Sequence, residues 1–377
     1  MKDAERNAVG GNCMWTDTEI FISILKVQTQ KPDITMKRSH QITIKDIARE
    51  LKISVATVSR ALRNTYDVSK ATRRKVLLKA KELNYRANFN ATGLASNKSH
   101  NIAVILPTIT NYYFSTVITG IQKVAYEHNY NIIFYITGES QERELSIIKE
   151  LSLSSIDGLL VSVTGDSKNV RHFKRILEND IPIVFFDRAA EIKGTSKVIQ
   201  DDYEGAFSAV EHLIENDYHA IALIGGPPEL SFSKERKRGY LAALRKYNLP
   251  THPQWMIHSA FNQHSGYLDT QQLLTVSPSI DAIFAVNDRK AVGAILALKE
   301  AGRSVGKEVG VIGFTNDPIS TIISPSLSTM EEPALEIGMR SCALLLKHIS
   351  KKNIIPEEVI LQGKLYIRES TNRHTNY

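Results

Sequence analysis

The sequence predicts two parts of different class: a small all-α head, then a larger α/β body of two lobes, each on a parallel, doubly wound sheet. Three observations predict it. Positive charge is concentrated early: residues 37–100 hold 15 Lys+Arg against 4 Asp+Glu. Three short helical patterns fall inside that basic stretch. After Ser99 the pattern changes to apolar runs of strand length alternating with helical runs, as in parallel strands wound with helices.

At 377 residues the chain is too long for one ordinary core and suits two or three domains. Its 42% hydrophobic and 23% charged residues are those of a soluble globular protein. Two cysteines, Cys13 and Cys342, exclude a disulfide scaffold and the usual four-ligand zinc sites. A reducing cytoplasm is the simplest compartment, and no metal or cofactor is expected. The apolar run Ile20–Val27 contains a lysine and is too short to span a bilayer. It lacks the cleavage site of a signal peptide. Residues 1–36 show no clear period; this leader is expected to be disordered or not native, and Met36 is read either as the natural start or simply as a methionine.

The net charge of +7 hides an asymmetry. Residues 1–36 carry 4 Lys+Arg against 5 Asp+Glu, and residues 101–377 carry 28 against 31. A basic head on a mildly acidic remainder points to a polyanion partner for the head alone.

The head covers 42–85. Thr43 can cap a first helix, with Asp46 completing an approximate capping box. Ile44, Ile47, Ala48 and Leu51 then share one face. Lys52-Ile53 makes a short turn. Ser54 caps a second helix, with Val55 or Val58, then Ala61 and Leu62, facing inward. Ser69 caps a third, with Val76, Ala80 and Leu83 inward and a row of Lys and Arg outward. Two short helices joined by a tight turn and braced by a third make the helix-turn-helix plan. The second helix is the one expected in the major groove. Arg60 suits a bidentate guanine contact. Val55 and Ala56 suit a thymine methyl or simply close approach, and Thr57 and Ser59 suit phosphates.

The run TIKDIARELKISVATVSRAL, then VSKATRRKV, then LNY, resembles the head of the LacI/GalR family of bacterial transcription regulators. The resemblance continues through VIQDDYEGA, HLIENDYHAIALIGGP, RKRGYLAAL and NDRKAVGAI, and covers about residues 42–371. It implies that 86–99 is a hinge, unfolded off DNA and helical when two copies meet in the minor groove. Leu94 would be the wedge that opens a base step, with Asn88 and Ala91 beside it. Some positions depart from the family. Its turn glycine is Lys52 here, so the turn has to manage without a residue free to take positive φ. Its hinge proline is Ala87, and Gly93 sits inside the hinge helix. In the body, Thr315 replaces a usual acidic residue and Glu332 a usual glutamine, for which the sequence offers no account.

The body is expected over 101–371. Strands read at Asn101–Leu106, Asn131–Tyr135, Gly158–Val163, Pro182–Phe186, Val198–Gln200, Ala220–Ile224, Ala282–Val286 and Val309–Phe314, with helices between them. That is too many strands for one compact sheet. The resemblance implies a periplasmic-binding-protein-like body. Its first lobe would hold about 101–187 and 317–351, its second about 188–316 and 352–371, and the chain would cross near Asp187, Asn316 and Lys352.

Ligands of such folds bind between the lobes, at the C-terminal ends of strands. That selects Asn111, Tyr113 and Phe114 after the first strand, and Asp187 and Arg188 after the strand ending at Phe186. It also selects Arg236, Phe261 before the helix starting at Ser265, and Asn287 and Asp288 after Val286. Carboxylates, Arg and Asn hydrogen-bond hydroxyls, and an aromatic face stacks on a sugar ring. The resemblance makes Asp288 and Arg236 the central polar pair and Phe261 the stacking platform. The competing readings are lobe core for Tyr113 and Phe114, a structural ion pair for Asp288 and Arg236, and a cap for Asp187.

No GxxxxGKS/T, HExxH or GxSxG occurs, and no Cys/His cluster. His212 and His219 read as structural, and no enzyme is expected. The expected function is a transcription regulator, in the simplest case a repressor. It would work as a homodimer on a near-palindromic double-stranded DNA operator, away from membranes. A small-molecule effector, a sugar or sugar derivative, would control it. A nucleobase or protein co-regulator is the alternative effector, and a sugar-modifying enzyme fused to a DNA-binding head the more distant one. After Glu369 no leucine heptad remains for tetramer formation.

Overall fold

The computed structural model describes residues 42–62, 67–85, 98–165, 171–351 and 354–374. The expectations for the leader and for Ala87, Asn88, Ala91, Gly93 and Leu94 lie outside them. The described residues up to Tyr85 form one compact unit and those from Lys98 another.

The head consists of α1 (Ile44–Leu51), α2 (Val55–Leu62) and α3 (Lys70–Glu82). Each start is fixed locally. The Thr43 amide donates to Asp46 at 2.9 Å in a capping box. Ser54 accepts from the Thr57 amide at 3.0 Å and Ser69 from the Thr72 amide at 3.2 Å. Ile47, Ala48, Val58, Ala61, Val76 and Ala80 make the core. Val58 turns inward, while Val55 is 39% exposed.

The turn after α1 corrects one expectation. Lys52 itself adopts φ 54° and ψ 41°, so the left-handed position is kept and a lysine occupies it. The Ile53 amide donates to the Ala48 carbonyl at 3.1 Å and the Lys52 amide to the Arg49 carbonyl at 3.3 Å. That pair of bonds is the helix-ending motif glycine usually serves, and it offsets the steric cost of a side chain. Asn84 repeats the device after α3 at φ 50°, which lets the Tyr85 amide reach the Ala80 carbonyl at 2.8 Å. This accounts for the LNY run.

The body holds two six-stranded sheets. The order of strands and helices, beginning with the first half, is β1 (Asn101–Leu106), α4 (Tyr112–Glu127), β2 (Asn131–Ile136), α5 (Gln141–Glu150), β3 (Gly158–Val161), α6 (Lys174–Leu177), β4 (Ile183–Phe186) and β5 (Ser196–Gln200). Then come α7 (Asp202–Glu215), β6 (Ile221–Gly225), α8 (Ser231–Lys246), β7 (Met256–His258), α9 (Gln263–Val276), β8 (Ala282–Ala285), α10 (Asp288–Glu300), β9 (Gly310–Thr315), α11 (Ile319–Ile322) and β10 (Ser328–Glu331). The chain ends with α12 (Ala334–Ser350), β11 (Glu358–Leu361) and β12 (Lys364–Tyr366).

The first sheet runs β11-β5-β4-β3-β1-β2, and the second β12-β10-β9-β8-β6-β7. Every pairing is parallel except β12 with β10. Strand β1 shows why its run is apolar throughout. Ile102, Val104 and Leu106 enter the core on one face of the sheet, and Ala103 and Ile105 the core on the other. Helices α4 and α12 cross backbone to backbone. A Cβ on Gly338 would lie 2.1 Å from the Val117 carbonyl oxygen, and one on Gly120 2.3 Å from that of Leu335. Asp157 pins the start of the body by accepting the Ser99 amide at 2.6 Å and the His100 amide at 3.0 Å. No helix of the described residues is long and apolar enough to cross a membrane.

Sheet membership moves all three expected crossings. Strand β5 pairs with β4, so the first crossing follows Gln200 and not Asp187. Strand β10 pairs with β9, so the second lies at Glu332-Pro333 and not near Asn316. Strand β11 pairs with β5, so the third lies at Gln362-Gly363 and not near Lys352. The physical reason is that hydrophobic alternation marks a strand without naming its sheet. Parallel partners are set by contacts distant in sequence.

Candidate functional site

On the head, α2 presents Val55, Ala56 and Arg60 exposed, with Thr57 and Ser59 half-buried. The Thr57 hydroxyl lies 2.8 Å from that of Ser54, inside the cap. The outer face of α3 carries Lys70, Arg74, Lys75 and Lys81, all exposed. Such a surface, small side chains beside one arginine and flanked by cations, can approach a groove and hold phosphates.

In the body, a cavity of about 550 Å³ opens between the lobes. All nine residues selected from the sequence line it: Asn111, Tyr113, Phe114, Asp187, Arg188, Arg236, Phe261, Asn287 and Asp288. Their roles differ. Asn111 caps α4, its Oδ1 accepting the Phe114 amide at 2.8 Å. Asn287 caps α10 by accepting the Lys290 amide at 2.8 Å, and its Nδ2 donates to the Phe261 carbonyl at 3.0 Å. Tyr113 and Phe114 belong both to the cavity wall and to the lobe core. Phe261 stacks on Phe232 with ring centres 5.5 Å apart. Below them Lys290, fully buried, donates to Asp269 at 2.6 Å, Ser259 at 2.7 Å and the Gly225 carbonyl at 2.7 Å. It ties the end of β6 to the loop that carries Phe261.

Asp288 and Arg236 make no ion pair with each other, which sets aside the competing reading of them as a structural ion pair. Arg236 is buried; its Nε donates to Asp202 at 2.8 Å and its Nη1 to the Val286 carbonyl at 2.6 Å. Its Nη2 donates to Glu332, and its guanidinium lies 3.6 Å from the centre of the Phe314 ring. Asp288 instead accepts the Thr329 hydroxyl at 2.6 Å and the Asp317 amide at 2.7 Å. The reason is position: Asp202 and Glu332 stand at two of the crossings and reach Arg236 first. Arg188 makes a bidentate pair with Glu139 at 2.7 and 3.0 Å, and its guanidinium sits 5.5 Å from the Phe232 ring centre. Asp187 does not cap a helix. It takes φ 59° and accepts the Ser162 hydroxyl at 3.0 Å.

Burial dominates the electrostatics. It pushes the Asp187 carboxyl up to about 6, only partly opposed by Arg188. It pushes Asp202 up to about 7 against the pull of Arg236. Asp288 rises to about 7 as well, although Thr329 and the Asp317 amide favour its charged form. Burial, reinforced by Asp187, holds the Tyr113 phenol well above its ordinary value. The site is built to accept hydrogen bonds: several carboxylates and a stacked aromatic pair, with the arginines already engaged.

Residues 99–369 match the family model described as periplasmic binding proteins and sugar binding domain of LacI family, and residues 43–88 match that of bacterial regulatory proteins, lacI family. The chain belongs to the LacI family of bacterial regulatory proteins. Catabolite control protein A of Priestia megaterium is 32% identical over 334 residues, 88% of this chain and 99% of that relative. A ribose-bound LacI-family regulator from Enterococcus faecium is 27% identical, with TM-score 0.64, over 73% of this chain and all of its own. The operator-bound lac repressor dimer, 24% identical, shares the fold with TM-score 0.78 over 88% of this chain and 99% of its own. This LacI-family chain is thus a DNA-binding transcriptional repressor with an effector-binding domain.

Within that family frame, sequence reasoning missed Asp202, Glu332, Glu139 and Phe232. Glu332 had a signal, its departure from the family glutamine, and the structure now accounts for it as a partner of Arg236. Asp202 lay inside the matching VIQDDYEGA run without a visible role. His212 and His219 are structural: His212 Nε2 is 2.8 Å from the Thr371 hydroxyl and His219 Nδ1 2.9 Å from the Asp217 carbonyl.

Proposed function

We propose that this protein represses transcription in the cytoplasm as a homodimer on a near-palindromic operator, and that a saccharide held between the lobes sets its operator affinity. The observation that carries the effector reading is the convergence of Asp187, Asp288, Arg236 and the Phe232–Phe261 stack on one cavity of about 550 Å³. Acceptors and an aromatic face in one cavity suit a ring with hydroxyls on its edge and C–H groups on its face. The ribose bound by the Enterococcus faecium regulator supports that class. On the head, Arg60 reads a base edge, Val55 and Ala56 line the approach, and Thr57 and Ser59 contact phosphates. Asn88, Ala91 and Leu94 act at the minor groove, with Leu94 as the wedge. The saccharide controls binding because the open and closed lobe arrangements bind it unequally.

The test is a thermal-shift screen of the full chain against mono- and disaccharides, followed by operator binding with each hit. A saccharide that raises Tm and changes operator affinity is the expected result. The stacked Phe232–Phe261 pair also suits a flat nucleobase, so nucleosides belong in the screen. A response to these alone would replace the saccharide reading.

A further inference from the structure

We propose that the cleft sorts its ligands by charge, admitting polyhydroxyl ligands without negative charge and rejecting sugar acids and sugar phosphates. The inference rests on the saccharide reading above and goes further than it. It starts from what the two interior arginines already hold. Arg236 faces two carboxylates, Asp202 and Glu332, and its third donor direction ends on the Val286 carbonyl. One cation is thus outnumbered by its own partners, all of them largely buried. Arg188 is paired with Glu139 through Nη1 and Nη2, while its buried Nε makes no hydrogen bond and lies 3.8 Å from the Asp187 carboxylate. If the more exposed Glu139 swung away, Asp187 would still stand beside the guanidinium.

The other acids have no such cation. The partners of Asp288 are a hydroxyl and a backbone amide. Four carboxyl groups lining the cleft (Asp187, Asp288, Glu332 and Glu139), with Asp202 on Arg236, thus surround two buried guanidiniums. Arg289, exposed in the lining, donates to the Thr110 carbonyl across the lobes at 3.2 Å and pairs with no carboxylate among the described residues. Burial is what raises the carboxyl pKa values of Asp187, Asp202 and Asp288, and the Glu332 charge adds to the rise of each.

An incoming carboxylate or phosphate would lose its water among these acids and meet no buried cation that lacks a carboxylate partner. A hydroxyl has the opposite effect. It donates to a carboxylate and eases the cost of keeping that charge buried. An ammonium group does so more strongly. Glu332 is the deciding residue because the neutral glutamine usual at this position would leave Arg236 with Asp202 alone.

The experiment offers the full chain matched forms of the same sugars: glucose, glucosamine, glucuronate and glucose 6-phosphate, and the corresponding set for galactose. Thermal shift and calorimetric titration read binding. For any sugar that binds, the acid and phosphate forms are expected to bind on the order of 100-fold more weakly than the neutral parent, the effect of one unpaired charge in a largely buried site. Glu332→Gln is expected to gain binding of the acid or phosphate form, a gain that misfolding cannot imitate. Glu139→Gln, at a more exposed position, should give a smaller gain through Arg188. A wild-type chain that binds a uronate or sugar phosphate more tightly than its neutral parent overturns the charge sorting and leaves the saccharide reading standing. Variants that fold yet reject anions as the wild type does overturn the assignment to these pairs. No response to any form sinks the saccharide reading and the sorting with it.

Discussion

Single residues carry the two functions unequally. On the head, the proposed sequence discrimination rests on Arg60, the one long donor among the exposed residues of α2. Arg60→Ala is expected to weaken operator binding by about 1–3 kcal/mol and to relax selection at one base pair of each half-site. Binding-site selection with the variant would show this; an unchanged consensus would assign the contact elsewhere. In the cleft, Asp288 makes a pH prediction. Its carboxyl is raised to about 7 by burial, so the folded protein holds that proton more tightly than the unfolded chain. The contribution to stability is therefore complete below the ordinary carboxylate range and is lost as pH rises through about 7. Asp288→Asn should remove this dependence, gaining on the wild type by on the order of 2 kcal/mol between pH 5 and pH 8. Parallel melting curves of the two proteins across that range would contradict it. Most residues of the cavity wall were legible because they follow strand ends, whereas Arg236 lies within α8 and Phe261 follows β7, which the sequence did not show. The pairing of Arg236 was not, because Asp202 and Glu332 come from chain crossings that carry no local pattern.

At the scale of elements, the head was readable almost completely. Its caps join residues three apart, its apolar faces repeat every three to four, and its core uses few residues. The exception, Lys52, gives a prediction of its own. Lys52→Gly should stabilise the head by roughly 0.5–1 kcal/mol by relieving a side chain at positive φ. The head's thermal transition, followed in the full chain, is the measurement, and a lower midpoint would mean that the lysine side chain contributes more than its backbone costs. In the body, strands β1 to β6, β8 and β9 were each visible as apolar runs. Strands β7, β10, β11 and β12 were not. They are three or four residues long (MIH, STME, EVIL, KLY), with too few repeats for a period to show. The close crossing of α4 and α12 was equally silent, since a glycine that lets two helices touch looks like any other. Gly338→Ala should cost several kcal/mol because the new methyl would meet the Val117 carbonyl oxygen with no flexible group to yield.

For the whole molecule, charge placement is the property that sequence and function share most directly. With 15 Lys+Arg against 4 Asp+Glu over residues 37–100, operator binding should weaken steeply with salt. A loss of roughly tenfold or more is expected between about 50 and 200 mM. A flat response in a filter-binding or anisotropy titration would remove the phosphate contacts from the account. Two lobes were foreseeable from strand number alone. Their membership was not, because a three-crossing chain can be divided in several ways that leave every strand and helix where it is.

The three crossings have a consequence for how the protein is made. Each sheet receives a strand from the last stretch of the chain: β11 at Glu358–Leu361 for the first, β12 at Lys364–Tyr366 for the second. Neither lobe can be finished on the ribosome until nearly the whole polypeptide has emerged, whereas the head has all its helices by Glu82. The DNA-reading part is thus born well before the part that governs it. A chain stopped before residue 358 would keep a complete reader and lack both edge strands, leaving the reader without the finished control that follows it.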